Sequence, residues 1–260
     1  MLKILKYSIF DLLRSRWSYV YFIFYFLLGF VLLFLNNDIN KAVITMMNII
    51  IVLTPLIGTI FGVMYYYNSK EFTELLLAQP IKRSKIFMGQ YLGISLSLTL
   101  SLVLGLGIPF VIYGVTRSSA IFDFSLLLLV GSFLNFIFVA LAYNIALSTD
   151  NKIKGFGYAI LMWLFLAVIY DGIFMISLML FNEYPLDKFS LIATMFNPID
   201  LSRILILLKL DISALLGYTG AVFKEFFGTN QGAILSLLVL VLWVVFPLLR
   251  INRKLRKKDF

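Results

Sequence analysis

Residues 68–90 read NSKEFTELLLAQPIKRSKIFMGQ and sit between two long apolar runs, Ala42–Tyr67 and Tyr91–Tyr113. Each flank exceeds the roughly 18 apolar residues that a helix needs to cross a hydrocarbon core of about 30 Å. The polar stretch between them is where the chain leaves the lipid. It holds more than a turn requires: an acidic-headed helical segment, Pro80 as a stop, and the cations Lys82, Arg83 and Lys85. Asn68 is placed to cap that segment, with Glu71 at its third position and Glu74 following, so negative charge meets the positive helix end. Phe72, Leu75 and Leu76 fall on one face.

The rest of the chain reads in the same way. Hydrophobic residues make up 62% and charged residues only 13%, whereas a soluble domain carries about 25% charged residues. Six spans are expected, at Trp17–Leu35, Ala42–Tyr67, Tyr91–Tyr113, Phe124–Ser148, Phe156–Phe181 and Gln231–Leu249. Continuous apolar runs of this length indicate helices, because backbone groups in lipid must be satisfied within the segment. They lack the alternation of barrel strands. The first span has no small-residue cleavage site after it and is expected to stay as an anchor. The fold class is an all-α membrane protein, one permease-like domain over residues 1–260.

Basic residues orient it. With the N-terminus inside, segments 1–16, 68–90, 149–155 and 250–260 hold 16 of the 22 cationic residues. The positive-inside rule then places both termini in the cytoplasm of a cell whose inner membrane is spanned several times. The net charge of +9 reflects topology and attraction to lipid phosphates, not nucleic acid. Residues 1–16 set Leu2, Leu5, Ile9, Leu12 and Leu13 against Lys3, Lys6, Asp11 and Arg14, as an interfacial helix does.

The outer segment 182–230 is long, 49 positions, and is broken at Asn182–Pro185 and again at Asn197–Asp200. One or two short helices, over Leu201–Asp211 and Ile212–Phe227, are expected against the outer membrane surface or dipping into it.

Several features admit two readings. Gly89, Gly93, Ser97, Ser101 and Gly105 recur every fourth residue and predict close helix contact, within one bundle or between copies. Asp171 is an acidic residue deep in a span, and serves either a translocation site or a structural bond to Tyr170, Asn135 or Asn144. Met46, Met47, Met175, Met179 and Met195 fall on the outer half. Met175 and Met179 share a helix face and are candidate copper(I) ligands, although gap-filling is the commoner use of methionine. Cysteine and histidine are absent, which removes thiolate and imidazole sites and Ser-His or Cys-His nucleophile pairs. No phosphate-binding loop motif occurs, so any ATP and magnesium are held by another chain.

Six spans, the interfacial N-terminus, Glu74-Leu75-Leu76-Leu77-Ala78-Gln79-Pro80 with Arg83, and the long segment before the last span resemble the type-2 ABC transporter permeases. Tyr170-Asp171, Phe196–Arg203 and Leu216–Ala221 resemble the NosY group within them, with Tyr218-Thr219 departing from its Gly-Pro. The resemblance implies a non-catalytic homodimer in which each copy docks a NosF-like cytoplasmic ATPase through a coupling helix. Glu71, Phe72, Glu74, Leu75 and Arg83 are the expected docking residues. It also implies a NosD-like periplasmic protein on the outer segment, with Asn197, Asp200 and Arg203 as its expected contacts. The work would be copper–sulfur centre assembly of nitrous oxide reductase. The alternatives are export of another cargo (a peptide, a lipid or a gliding-type function) and a polytopic membrane enzyme.

Overall fold

The computed structural model describes residues 4, 6–8, 10, 16–36, 38–181, 183, 186–209, 220–227 and 230–255. All regular structure among them is helical. The helices are α1 Arg16–Asn36, α2 Ile39–Asn68, α3 Lys70–Leu77, α4 Arg83–Ile112, α5 Ile121–Ser148, α6 Lys152–Leu180, α7 Asp187–Met195, α8 Pro198–Lys209, α9 Gly220–Phe227 and α10 Asn230–Leu255. Among the described residues six of these are long and apolar enough to cross a membrane: α1, α2, α4, α5, α6 and α10. The protein is an all-α membrane protein.

The core forms where small residues let helices approach. A Cβ on Gly62 of α2 would stand 2.8 Å from the Cβ of Ala142 on α5, and one on Gly105 of α4 would stand 2.9 Å from the Cβ of Tyr25 on α1. Tyr25, Tyr91, Tyr143, Phe87, Phe110 and Phe138 fill the resulting interior. Phenolic hydroxyls there need partners. That of Tyr25 bonds Thr54 Oγ1 at 2.9 Å, and that of Tyr91 donates to the Phe136 carbonyl at 3.1 Å.

Helices run past the lipid interval that hydropathy detects. The third span starts at Arg83, so Arg83 and Lys85 lie in the first turn of α4 and not in a loop leading to it. Asn68 also differs from expectation. It ends α2, Ser69 occupies the cap position of α3 without a side-chain cap bond, and Asn68 Oδ1 instead accepts from Lys152 Nζ at 3.0 Å. Because α2 continues almost without interruption into α3, no free helix start is left for Asn68 to cap.

The outer segment agrees with the sequence reading in part, with a helix Pro198–Lys209 over the expected Leu201–Asp211, and departs from it in what precedes that helix. Residues Asp187–Met195 form a helix that patterning did not single out, and α7 and α8 meet at a bend of 114°. Their junction is level with the middle of the bundle. Asn197 bonds Leu166, at the midpoint of α6, and Met195 bonds Trp243, at the midpoint of α10. The pair is re-entrant, entering the bundle and turning back. The apolar stripe of residues 1–16, the stretch Leu216–Thr219 and the cations beyond Leu255 lie outside the described residues.

Candidate functional site

Two regions carry chemistry. The first is α3, an eight-residue helix too short to persist on propensity alone. Its inward side is held by the rest of the chain. Phe72 stacks on Tyr7 at 4.7 Å between ring centroids, Thr73 is buried, and Leu76 and Leu77 pack against the core. Its outward side presents Glu71, Glu74, Leu75 and Ala78, positions i, i+3, i+4 and i+7 of one face. Leu75 is 69% exposed, an apolar side chain beside two carboxylates. Of the expected docking residues, Glu71, Glu74, Leu75 and Arg83 are exposed. Phe72 belongs instead to the contact with the N-terminal segment.

The second region is the re-entrant junction. A broken helix at membrane depth is tolerated only where protein satisfies the freed backbone groups. Here flanking spans do so. At the end of α7, Phe196 N donates to Ala193 O at 3.0 Å and Asn197 N to Thr194 O at 3.2 Å, and flanking spans add further donors. Tyr170 donates its hydroxyl to Ala193 O at 2.6 Å, and Trp243 donates Nε1 to Met195 O at 3.1 Å. In return Asn197 Nδ2 donates to Leu166 O at 2.8 Å, inside a single π-helical turn, Phe165–Ile169, that widens α6 at this point. Wide turns of this kind displace a carbonyl from the ordinary ladder. Asn197 Oδ1 accepts from Ile199 N at 3.1 Å and caps α8, with Pro198 in the first helical position that suits it.

Charge is placed beside this junction. Arg203 Nη1 lies 3.0 Å from Asp171 Oδ2 and 3.6 Å from Asp200 Oδ1. Asp200 Oδ2 accepts from Asn197 Nδ2 at 2.6 Å. Two expectations are corrected by this arrangement. Asp171 takes its partner from α8, not from Tyr170, Asn135 or Asn144; Asn144 instead donates to Pro247 O at 2.7 Å. Asn197 and Asp200 are buried and committed to the chain's own α6 and α8, so the outer partner contact expected of them has no exposed surface there. Arg203 stays about 30% exposed, and its charge is divided between two carboxylates.

The small-residue stripe is buried throughout, at Gly89, Gly93, Ser97, Ser101 and Gly105, and Gly105 meets α1 of the same chain. Met46 and Met47 are buried in the core while Met175 and Met179 project from the surface of α6, so the methionines do not share one face. No group of three or more acidic side chains suited to a metal occurs among the described residues. Sequence reasoning missed Trp243, Tyr170 as a donor to α7, and Thr73 with Gln90. For Tyr170 and Trp243 the one available signal was a polar-tipped aromatic deep in a span, which ordinarily finds a partner.

No family model matches the chain. Over 151 residues, 56% of this chain and 51% of the relative, it is 25% identical to the probable ABC transporter permease protein NosY of Stutzerimonas stutzeri. The chain spans about half the length of that curated relative. With six apolar helices and a short polar helix between the second and third of them, the chain is a distant relative of the ABC transporter permeases.

Proposed function

We propose that this chain is the membrane-spanning subunit of an ATP-driven complex, docking a cytoplasmic ABC ATPase on α3. The observation that carries this reading is the division of α3 into two faces. One is locked to the bundle, and the other offers Glu71, Glu74 and Leu75 outward. Acidic residues on that face disfavour contact with anionic lipid and suit a groove lined by cations. Both termini then lie in the cytoplasm of the inner membrane, and ATP with magnesium belongs to the partner. The likeness to NosY extends the reading to a NosD-like periplasmic protein and to copper–sulfur centre assembly of nitrous oxide reductase. Export of another cargo is the alternative. Asp171 works against a polytopic enzyme, since its carboxylate is engaged by Arg203.

The same reading includes a homodimer across α6. Only 11% of the most apolar window of that span is buried, and Val168, Met175, Ile176 and Met179 project from it. Asp171 of the same helix and its partner Arg203 on α8 are each about one-third exposed, where lipid contact with charge is costly. A second copy packed there would exclude lipid from the pair.

Purification of the tagged chain from its own membranes in mild detergent tests the function. A stoichiometric ATPase subunit and magnesium-dependent ATP hydrolysis are expected. A chain that purifies without ATPase under conditions preserving other membrane complexes would contradict it.

A further inference from the structure

We propose that Thr73 and Gln90 are the positioning pair that makes α3 a rigid lever on α4; this rests on α3 being the ATPase-docking helix. Gln90 Nε2 donates to Thr73 Oγ1 at 2.8 Å, and Thr73 Oγ1 donates in turn to Ser69 O at 2.7 Å. Both side chains are buried, at 6% and 1% exposed. The hydroxyl proton of Thr73 is committed to its own helix, so its oxygen is left as an acceptor and Gln90 must be the donor. The bond therefore has one polarity and one geometry.

Its location gives it a mechanical consequence. Thr73 lies on the inward face of α3, beside the outward Glu71, Glu74 and Leu75. Gln90 lies two turns into α4, next to Gly89, where the small-residue stripe begins that ends with Gly105 packed on α1. Among the described residues the inward contacts of Phe72, Leu76 and Leu77 are apolar and carry no fixed direction. The directional bond resists sliding, so displacement of α3 passes into α4. Among the described residues Gln90 Oε1 has no hydrogen-bond partner in this buried setting. Packing alone would be served as well by an apolar side chain of the same length, because exchanging both partners of a buried bond for apolar groups is close to neutral.

That near-neutrality makes the test sharp. Thr73→Val/Gln90→Met and Thr73→Ser are compared with the unmodified chain in the complete reconstituted complex. Thermal unfolding, ATPase stoichiometry and permease-dependent stimulation of Mg-ATP hydrolysis are measured. The double variant should fold and retain the ATPase but lose stimulation by about fivefold or more, the lower end of ordinary coupling energies. Thr73→Ser, which keeps the hydroxyl, should retain it. Full stimulation in the double variant, or equal loss in Thr73→Ser, overturns the proposal.

A second measurement does not depend on the partner. The chain has no cysteine, so a spin label at Ala78→Cys reports α3 alone in the isolated chain. The label should become more mobile in Thr73→Val/Gln90→Met, and unchanged mobility overturns the lever. If the unmodified chain binds no ATPase while the label still responds, the docking reading fails and the positioning pair stands as a fact of the fold.

Discussion

Arg203 of the re-entrant helix α8 reaches Asp171 of the fifth span at 3.0 Å, joining residues 32 positions apart. Removing Arg203 strands the Asp171 carboxylate at a depth where an unpaired charge costs about 2.5–3.5 kcal/mol, whereas removing Asp171 leaves Arg203 with Asp200 at 3.6 Å. Asp171→Asn and Arg203→Gln singly should each lower the unfolding temperature in detergent. The double variant should regain a part of the loss of Arg203→Gln, because Asp171 is then no longer a stranded carboxylate, although Asp200 still lacks its cation. Additive losses would mean the pair is not coupled.

Asn197 is used three times, as donor to Leu166 O and to Asp200, and as acceptor from Ile199 N. Asn197→Asp keeps the shape and the cap but cannot donate, and it sets a second carboxylate against Asp200. It should destabilise the protein more than Asn197→Ala, the reverse of what side-chain similarity suggests. Unfolding midpoints of the two variants decide this. The difference expected is about 1–2 kcal/mol, the cost of a buried unmatched polar group.

The six spans were legible because each is a long apolar run, and α3 because it interrupts them. Of the re-entrant pair, the second helix and its dip into the membrane were among the readings the sequence admitted, while the first helix was not. Its first helix mixes Asp187, Lys188, Ser190 and Thr194 with apolar residues, and no periodicity shows that carbonyls at its end will be met by Tyr170 and Trp243. Asn197-Pro198 was visible as a break; that it sits at mid-height, bonded to a carbonyl of the π-helical turn in α6, leaves no compositional trace. The Asp171–Arg203 pair was half legible. Both residues stood out, but each was assigned to a different task because only the fold brings them together.

Two glycines two positions apart in α4 separate packing from propensity. A methyl group on Gly105 would meet Tyr25 Cβ at 2.9 Å and Phe22 O at 3.0 Å, while one on Gly107 meets nothing within 4 Å. Gly105→Ala should cost about 1–3 kcal/mol through overpacking. Gly107→Ala should be neutral or stabilise by up to about 1 kcal/mol through helix propensity. Thermal melts of the two variants in one detergent check the pair.

Absence of cysteine also permits a direct view of the homodimer. Single cysteines at Val168, Ile176 or Met179, all exposed on α6, should form intermolecular disulfides in native membranes. Leu104→Cys, exposed on α4, should not. Equal cross-linking at both helices would place random collision ahead of an interface.

The most direct measurement is co-purification of the partner ATPase with Glu71→Lys/Glu74→Lys, scored alongside Mg-ATP hydrolysis and the unfolding temperature. Both carboxylates are exposed, and exposed substitutions cost little in stability, within about 0.5 kcal/mol each. A folded chain that has lost its ATPase is expected. A charge-reversed chain that keeps the ATPase at full stoichiometry and rate would contradict docking on α3.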